Sequence, residues 1–235
     1  MSLSIGGPRL DATDEGVLDD IAACSLAADP RIWPMKLARL GSAYGRYMSG
    51  LFAGMMGTHQ AQVGIYAVTG IARLLVDIIA RIDRGSTLER EVERILAQER
   101  RFPGFGVPFR DEDERVVALR RCIEARGRAG RRHWALVSRI EVLLSKERRL
   151  SINFASALGS LLLDLGFSVE QVSPMSAIAV IPNFLANAFE GVAQRPAVLQ
   201  RLPDRVVAYV GAPPRESPRA RTHAMQDQEP EPTEP

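Results

Sequence analysis

The stretch Leu150–Val192 constrains the fold of this chain more than any other part of the sequence. From Ile152 to Leu165 nearly every residue is apolar or small, and the few polar residues recur with helical spacing. These polar residues are Asn153, Ser156, Ser160 and Asp164. The pattern predicts a helix that is buried on almost all sides and carries one polar stripe.

A second buried helix is expected after the turn at Gly166. Ser173 is a candidate N-cap with Pro174 at the first helical position, and the helix should continue through a kink at Pro182. Its polar face carries Asn183, Asn187 and Glu190. Two polar stripes on neighbouring helices fit a ligand pocket between them, and they equally fit hydrogen bonds that only join the helices.

The remaining segments also have helical periodicity, and no stretch alternates apolar and polar residues as a strand would. Helices are predicted over residues 17–28, 34–57, 62–83, 86–100, 111–125 and 133–149. Residues 1–16 are expected to be flexible, and the Pro- and Glu-rich residues 212–235 to be disordered. The sequence therefore predicts an all-α chain.

Composition excludes several classes of function. Thirty basic and 28 acidic residues are interspersed and leave a net charge of +2, so neither nucleic acid nor a membrane is indicated as a partner. Cys24 and Cys122 lack metal-ligand spacing and the three histidines are scattered, so no metal site is predicted. The N-terminus does not resemble a secretory leader, and the expected location is the cytoplasm.

The residues NFASALGSLLLDLG, 153–166, resemble a segment of citrate synthases and stand-alone citryl-CoA lyases. That segment reads N-V-D, with Gly four residues after the Asp and Leu-Gly ten residues after it. Asn153, Gly159, Leu165 and Gly166 fall on this pattern without a gap. The resemblance places Ala155 at the position of the family's catalytic Asp.

Two upstream segments continue the resemblance. GTHQAQVG, residues 57–64, is similar to G-D-H-H-G-G-A, with His59 at the first His and Gln60 at the catalytic one. PGFGVPFRDEDER, residues 103–115, resembles P-G-F-G-H-P-x-H-K-x-x-D-P-R. Here Val107 occupies the position of the second catalytic His, and Arg115 matches the substrate-binding Arg.

Two downstream segments complete it. AVIPNFLANAFE, residues 179–190, resembles A-R-x-x-G-x-x-A-H-x-x-E, with Val180 in place of a carboxylate-binding Arg and Asn187 in place of a His. YVGAPPR, residues 209–215, is similar to Y-V-G-P-x-x-R. The resemblance implies a citrate-synthase-like helical bundle over residues 17–211, truncated at its N-terminus, in which residues 86–150 contribute a small domain.

The family's mechanism indicates what these departures mean. A carboxylate removes a proton alpha to a coenzyme A thioester, one imidazole stabilises the enol, and another activates the electrophilic carbonyl. The resemblance puts Ala155, Gln60 and Val107 at those three positions. The candidate pocket that it implies comprises His59, Gln60, Val107, Arg115, Asn153, Ala155, Ser156, Asn183 and Asn187. A coenzyme A thioester is the ligand that it implies, as substrate or as bound molecule.

Structural alternatives stay open for several of these residues. His59 fits a helix-end or core histidine as well as a catalytic one. The asparagines fit interhelical hydrogen bonding as well as ligand binding, and the acidic cluster at residues 111–114 fits a helix start as well as a reservoir of bases. Arg115→Ala is expected to weaken carboxylate or acyl-CoA binding and to leave the melting temperature nearly unchanged.

Three functions are compatible with the sequence. The first is a non-catalytic binding or structural subunit, alone or paired with an active paralogue. The second is an enzyme remodelled to act on another acyl-CoA or carboxylate substrate, and the third is a divergent but active citrate synthase or citryl-CoA lyase. A homodimer, or a heterodimer with a paralogue, is expected through the Gly-rich helix from Pro34 and the helix from Gln62.

Overall fold

The computed structural model describes residues 2–27, 30–44, 46–60, 65–99, 102–107, 111–148, 150–194, 203–206, 208 and 210–212. Within these ranges the α-helices are α1 Ala12–Ser25, α2 Trp33–Ser42, α3 Tyr47–Gln60, α4 Ile65–Asp83, α5 Leu88–Gln98, α6 Glu114–Ala125, α7 Arg132–Arg148, α8 Phe154–Asp164 and α9 Val169–Ala193. Short 3-10 helices cover Ser2–Ile5 and Asp204–Val206. The described residues contain no β-strand, which confirms the all-α prediction.

Two compact units divide the chain, residues 1–198 and residues 199–235. All the described α-helices belong to the first unit, and so does the predicted small-domain portion, residues 86–150. Most of the predicted C-terminal tail, residues 213–235, lies outside the described residues.

Helix α8 is the centre of the first unit. Nine of its eleven residues are buried, and it packs against α4, α6, α7 and α9. Leu158, Leu161 and Leu162 are almost completely enclosed, and burying a side chain of this size contributes about 1.5–3 kcal/mol. The continuous apolar run in the sequence therefore predicted this helix correctly.

Helix α9 begins earlier than predicted. Ser168, rather than Ser173, is its N-cap: the Ser168 hydroxyl accepts the backbone N–H of Gln171, and the Gln171 side chain accepts the N–H of Ser168. This reciprocal pair satisfies two helix-end donors, so the helix starts five residues upstream and includes Pro174. Among the described helices only α9 is long and apolar enough to cross a membrane, and it packs against α1–α4 and α8.

The glycine-rich segment predicted as one helix over residues 34–57 is in fact two. α2 and α3 fold back on each other, and α9 covers both. A Cβ on Gly50 would lie 2.2 Å from the carbonyl oxygen of Ala38, and a Cβ on Gly191 would lie 2.4 Å from that of Arg39. Glycine at these two positions lets the main chains of α3 and α9 approach that of α2 directly.

The N-terminal residues are more structured than predicted. Helix α1 begins at Ala12 because the Asp11 carboxylate accepts the backbone N–H of Asp14 at 2.8 Å and so caps it. Ahead of it, the Gln171 side-chain amide donates to the carbonyl oxygen of Gly6 at 2.8 Å, and Ile5 packs against the core. Interhelical contacts therefore fix part of the stretch that the sequence predicted to be flexible.

Helix α5 has a different cap from the one predicted. The N-cap is Thr87, whose hydroxyl accepts the N–H of Arg90, whereas Ser86 donates its hydroxyl to the buried carboxylate of Glu91 at 2.6 Å. The helix starts one residue later because the buried Glu91 engages the Ser86 hydroxyl.

Candidate functional site

A loop at residues 102–107 lies against the start of α8. The backbone N–H of Asn153 donates to the carbonyl oxygen of Gly104 at 3.1 Å. The Asn153 side-chain amide donates to the carbonyl oxygen of Gly106 at 3.3 Å. These bonds hold half-buried Val107, the next residue of the loop, beside the first turn of α8.

Asn153 is the N-cap of α8. Its side-chain oxygen accepts the backbone N–H groups of Ala155 at 3.1 Å and Ser156 at 3.3 Å, and the N–H of Phe154 donates to the carboxylate of Asp113 at 3.1 Å. The first three N–H groups of the helix therefore have partners within the chain. A helix N-terminus attracts anions through such donors when they are free, and here they are occupied. For Asn153 the structural alternative is the one that the geometry supports.

Ala155 lies half-buried on the first turn of α8, at the position where the resemblance places a catalytic carboxylate. Its methyl group packs against the core. A methyl group neither accepts nor donates a proton, so this residue supplies no general base.

Arg115 is paired within the chain. Its Nε and Nη2 donate to the two carboxylate oxygens of Asp113 at 2.8 and 2.6 Å, and its guanidinium lies 4.5 Å from the centre of the Phe154 ring. The Asp113 side chain is 3% exposed and that of Arg115 19%. The expectation that Arg115 is a partly exposed cation with little influence on stability does not agree with this geometry, because its removal would leave a buried carboxylate without its counter-charge.

Asp113, one of four consecutive acidic residues, has three roles that the sequence did not predict. It caps α6 by accepting the N–H of Arg115, it binds the Arg115 side chain, and it accepts the N–H of Phe154 at the start of α8. Asp113 therefore joins α6 to α8. Its capping role supports the interpretation of residues 111–114 as a helix start.

The Ser156 hydroxyl lies where a side chain on Gly104 would have to be. The Ser156 side chain is fully buried, and its hydroxyl has no hydrogen-bond partner in the described part of the chain. Gly104 has a φ of +83°, and a Cβ there would lie 1.9 Å from the Ser156 oxygen. Only glycine meets both conditions, and the P-G-F-G motif was the sequence signal for it.

Asn183 and Asn187 lie on a different side of the bundle, towards α1 and α2. The buried Asn183 amide donates to the carbonyl oxygen of Ser25. Asn187 donates to the carbonyl oxygen of Asn183 at 2.9 Å and accepts from Nε of Arg39 at 2.7 Å. The bonds to Ser25 and Arg39 join α9 to α1 and α2, the bond between Asn187 and Asn183 lies within α9, and none of them involves the start of α8.

The predicted pocket thus divides in the structure. Five of its members surround the N-terminus of α8: Val107, Arg115, Asn153, Ala155 and Ser156. Asn183 and Asn187 bind α1 and α2 instead. His59 and Gln60 end α3, but their side chains lie outside the described residues, and their predicted roles stay predictions.

Across the part of the chain that the structure covers, no three His, Cys, Asp or Glu side chains are grouped to hold a metal ion.

Comparison with known proteins identifies the family. The family described as "Citrate synthase, C-terminal domain" matches residues 42–201, which is more than half of the chain. The chain therefore belongs to the citrate synthase family, as the sequence motifs predicted. No curated protein matches the sequence at a significant level.

Several solved structures share the fold. Citryl-CoA lyase from Hydrogenobacter thermophilus is 18% identical with a TM-score of 0.74, over 92% of this chain and 84% of that one. An ATP citrate lyase from Methanosaeta concilii in complex with (3S)-citryl-CoA is 18% identical with a TM-score of 0.67, over 87% of this chain and 35% of that one. Citrate synthase from Thermotoga maritima is 19% identical with a TM-score of 0.64, over 85% of this chain and 54% of that one. At these identities the similarity establishes the fold alone.

Proposed function

We propose that this protein is a non-catalytic binding or structural subunit of the citrate synthase family. The observation that carries the proposal is the first turn of α8, where Ala155 lies at the position that the resemblance assigns to a base and the first three backbone N–H groups have partners within the chain. General acid–base steps contribute about 10²–10⁴-fold each, so a site without them retains little of the family's turnover.

Among the described residues, Asp113 does not replace the missing base. Asp113 lies beside the same turn, but it is almost completely buried and bonded to Arg115 and to the N–H of Phe154. Both of its side-chain oxygens are engaged by these donors, so they do not face a ligand as a free base would. The side chain of Val107, on the adjoining loop, has no group that could donate or accept a proton.

The ligand that we propose is a coenzyme A thioester or its parent coenzyme. Support comes from the fold, because an ATP citrate lyase with this fold is solved with (3S)-citryl-CoA and another with citrate and coenzyme A. A remodelled enzyme acting on an acyl-CoA is the alternative, and it predicts consumption of the thioester rather than binding alone.

The partner that we propose is a second copy of this chain, which docks on the exposed face of α3. Met48, Phe52 and Met56 are exposed at intervals of one helical turn, Phe52 by 58% and Met56 by 73%. The residues of α3 include no Asp, Glu, Lys or Arg, so two copies of this face would meet without repulsion between like charges. Tyr47 stacks on exposed Phe189 with ring centres 4.7 Å apart and extends the patch onto α9.

Activity measurements test the catalytic part of the proposal. Purified protein should neither form citrate from acetyl-CoA and oxaloacetate nor cleave citryl-CoA, and Ala155→Asp should not restore either reaction while Gln60 and Val107 remain. An intact family member assayed in parallel is the positive control. Turnover by the wild-type protein close to that of the control would overturn the proposal.

Binding and assembly are measured separately. Titration calorimetry with coenzyme A and acetyl-CoA should give saturable heat, and mass spectrometry should recover the thioester unchanged. Consumption of the thioester would favour the remodelled enzyme.

Light scattering should give a dimer that Phe52→Glu dissociates. Val142→Glu, at an exposed apolar residue of α7, is the matched control and should leave the dimer intact. A wild-type monomer at micromolar concentration would exclude self-association and leave a paralogue as partner.

A further inference from the structure

Helices α1 and α6 pack against each other in opposite directions, and their ion pairs fix the register. The Asp20 carboxylate accepts from Nε of Arg126, the C-cap of α6, at 2.5 Å, and the Asp14 carboxylate, six residues earlier in α1, accepts from Nε of Arg128 at 2.9 Å. As the residue number rises from 14 to 20 in α1, the partner's number falls from 128 to 126, at and just beyond the C-terminal end of α6. One turn beyond Asp20 is residue 24, and one turn before Arg126 is residue 122.

Both of those residues are cysteines, and they are the two cysteines of the chain. Cys24 and Cys122 are free thiols, each half-buried, and Cys122 contributes to raising the pKa of the Cys24 thiol. The Asp20–Arg126 ion pair and the packing of α1 against α6 place the two cysteines at facing positions on different helices. The influence of Cys122 on the pKa of Cys24 agrees with that placement.

We propose that Cys24 and Cys122 form a redox-modification site, at which a low-molecular-weight disulfide such as oxidised glutathione converts the two thiols into an intramolecular disulfide. One protein thiolate attacks the small disulfide and releases one glutathione thiolate. The other protein thiolate then attacks the mixed disulfide and releases the second glutathione. Two protein thiols are oxidised, one small disulfide is reduced, and both protons end on the released glutathione molecules.

The bond would join α1 to α6 and close a loop of about 100 residues, which constrains the unfolded chain far more than a short loop does. Oxidation therefore stabilises the first unit without adding a contact to the folded state. Reduction by glutathione reverses the change, so the pair reports the redox state of its surroundings.

The surroundings of the pair set the rate of the reaction. Burial raises the pKa of the Cys24 thiol, and Cys122 and the carboxylate of Asp20 raise that pKa further. Arg126 faces the same region from α6, but its guanidinium is bonded to Asp20. Because the thiolate is the attacking form, disulfide formation should be slow at neutral pH and faster in mildly alkaline buffer.

The test exposes the folded wild-type protein to oxidised glutathione in mildly alkaline buffer and counts the alkylatable thiols. We expect the count to fall from two to zero, the intact mass to decrease by two hydrogen atoms, and the protein to run as a monomer on a denaturing non-reducing gel. A cross-linked peptide pair containing Cys24 and Cys122 should appear in the digest. The melting temperature should rise by about 5–10 °C and return after reduction.

Cys24→Ser and Cys122→Ser are the matched controls. Each should retain one cysteine that acquires a single glutathione, with no cross-link and no comparable rise in melting temperature. If a variant does not fold, the digest of the wild-type protein decides alone. Two thiols that remain alkylatable at equilibrium, or glutathione on both cysteines without a cross-link, would overturn the proposal.

Discussion

Asp113 holds Arg115 at the point where α6 meets α8. Nη2 of Arg115 lies 2.6 Å from Oδ2 of Asp113, and the same oxygen accepts the backbone N–H of Phe154 at 3.1 Å. A residue that the motif marked as substrate-binding is thereby part of a helix junction. This pair changes what a substitution at position 115 should do.

Arg115→Ala should lower the free energy of unfolding by about 1–3 kcal/mol, because it leaves the buried Asp113 carboxylate with backbone donors alone. Arg121→Ala, at an exposed arginine of the same helix, is the matched control and should change stability by less than about 0.5 kcal/mol. Urea denaturation of both variants measures the difference. Equal stabilities would return Arg115 to the ligand-binding role suggested by the motif.

Asp164→Ala should destabilise the protein by about 2–3 kcal/mol. The Asp164 side chain is 4% exposed and caps α7 from the end of α8, accepting the backbone N–H of His133 at 2.9 Å and of Trp134 at 2.8 Å. Asp164→Asn should cost less because one side-chain oxygen remains. Thermal unfolding ranks the variants, and hydrogen exchange should show faster opening at the first turn of α7. Unchanged exchange there would disprove the capping role.

Substitutions at the contact between Gly104 and Ser156 should have opposite consequences. Ser156→Ala should be neutral or slightly stabilising, because it removes a buried hydroxyl without a hydrogen-bond partner among the described residues. Gly104→Ala should cost about 2–4 kcal/mol, through both its positive φ and the collision of its Cβ with the Ser156 oxygen. Ser160→Ala is the control for a buried serine that does donate a hydrogen bond, to Ala157 at 3.0 Å. Denaturant titration distinguishes the three, and a large loss in Ser156→Ala would reveal a partner for its hydroxyl.

Stability should decrease in acid partly through Glu91. The Ser86 hydroxyl, followed by Arg94 and Arg81, lowers the pKa of this buried carboxyl. A lowered folded-state pKa contributes stability that is fully present above the ordinary carboxyl pKa and is lost as the pH falls through the folded value. Glu91→Gln should therefore lose about 1 kcal/mol at neutral pH and little in acid. Glu93→Gln, at an exposed position of α5, should follow the wild-type pH profile. Parallel profiles for the wild type and Glu91→Gln would contradict this assignment.

The fold class and the central helix could be predicted because they depend on local sequence. The apolar run at residues 154–164 has few alternatives to a buried helix. Helix starts were less predictable, because several hydroxyl residues compete for each cap. Ser168, and not Ser173, caps α9 because it forms a reciprocal bond with Gln171. Thr87, and not Ser86, caps α5 because the Ser86 hydroxyl binds Glu91.

The polar residues of the candidate site were the least predictable. The spacing of Asn153 suggested that it lies on the polar face of a helix. In the structure Asn153 is the N-cap of that helix and does not lie within it. Asn183 donates to a carbonyl 158 residues away in sequence, a partner that no local pattern indicates. By contrast, the Asp113–Arg115 pair spans two residues, and an N-cap Asp followed by Arg was a signal that could have been found.

The glycine contacts among α2, α3 and α9 have a consequence for reading variation at these positions. At Gly50 and Gly191 the space between two main chains is narrower than a single methyl group. A saturation mutagenesis screen should reject every side chain there, with a severity that rivals any active-site position. Intolerance at these two sites would therefore reflect the spacing of α2, α3 and α9, and the loss of variants there would not by itself indicate a ligand-binding or catalytic position.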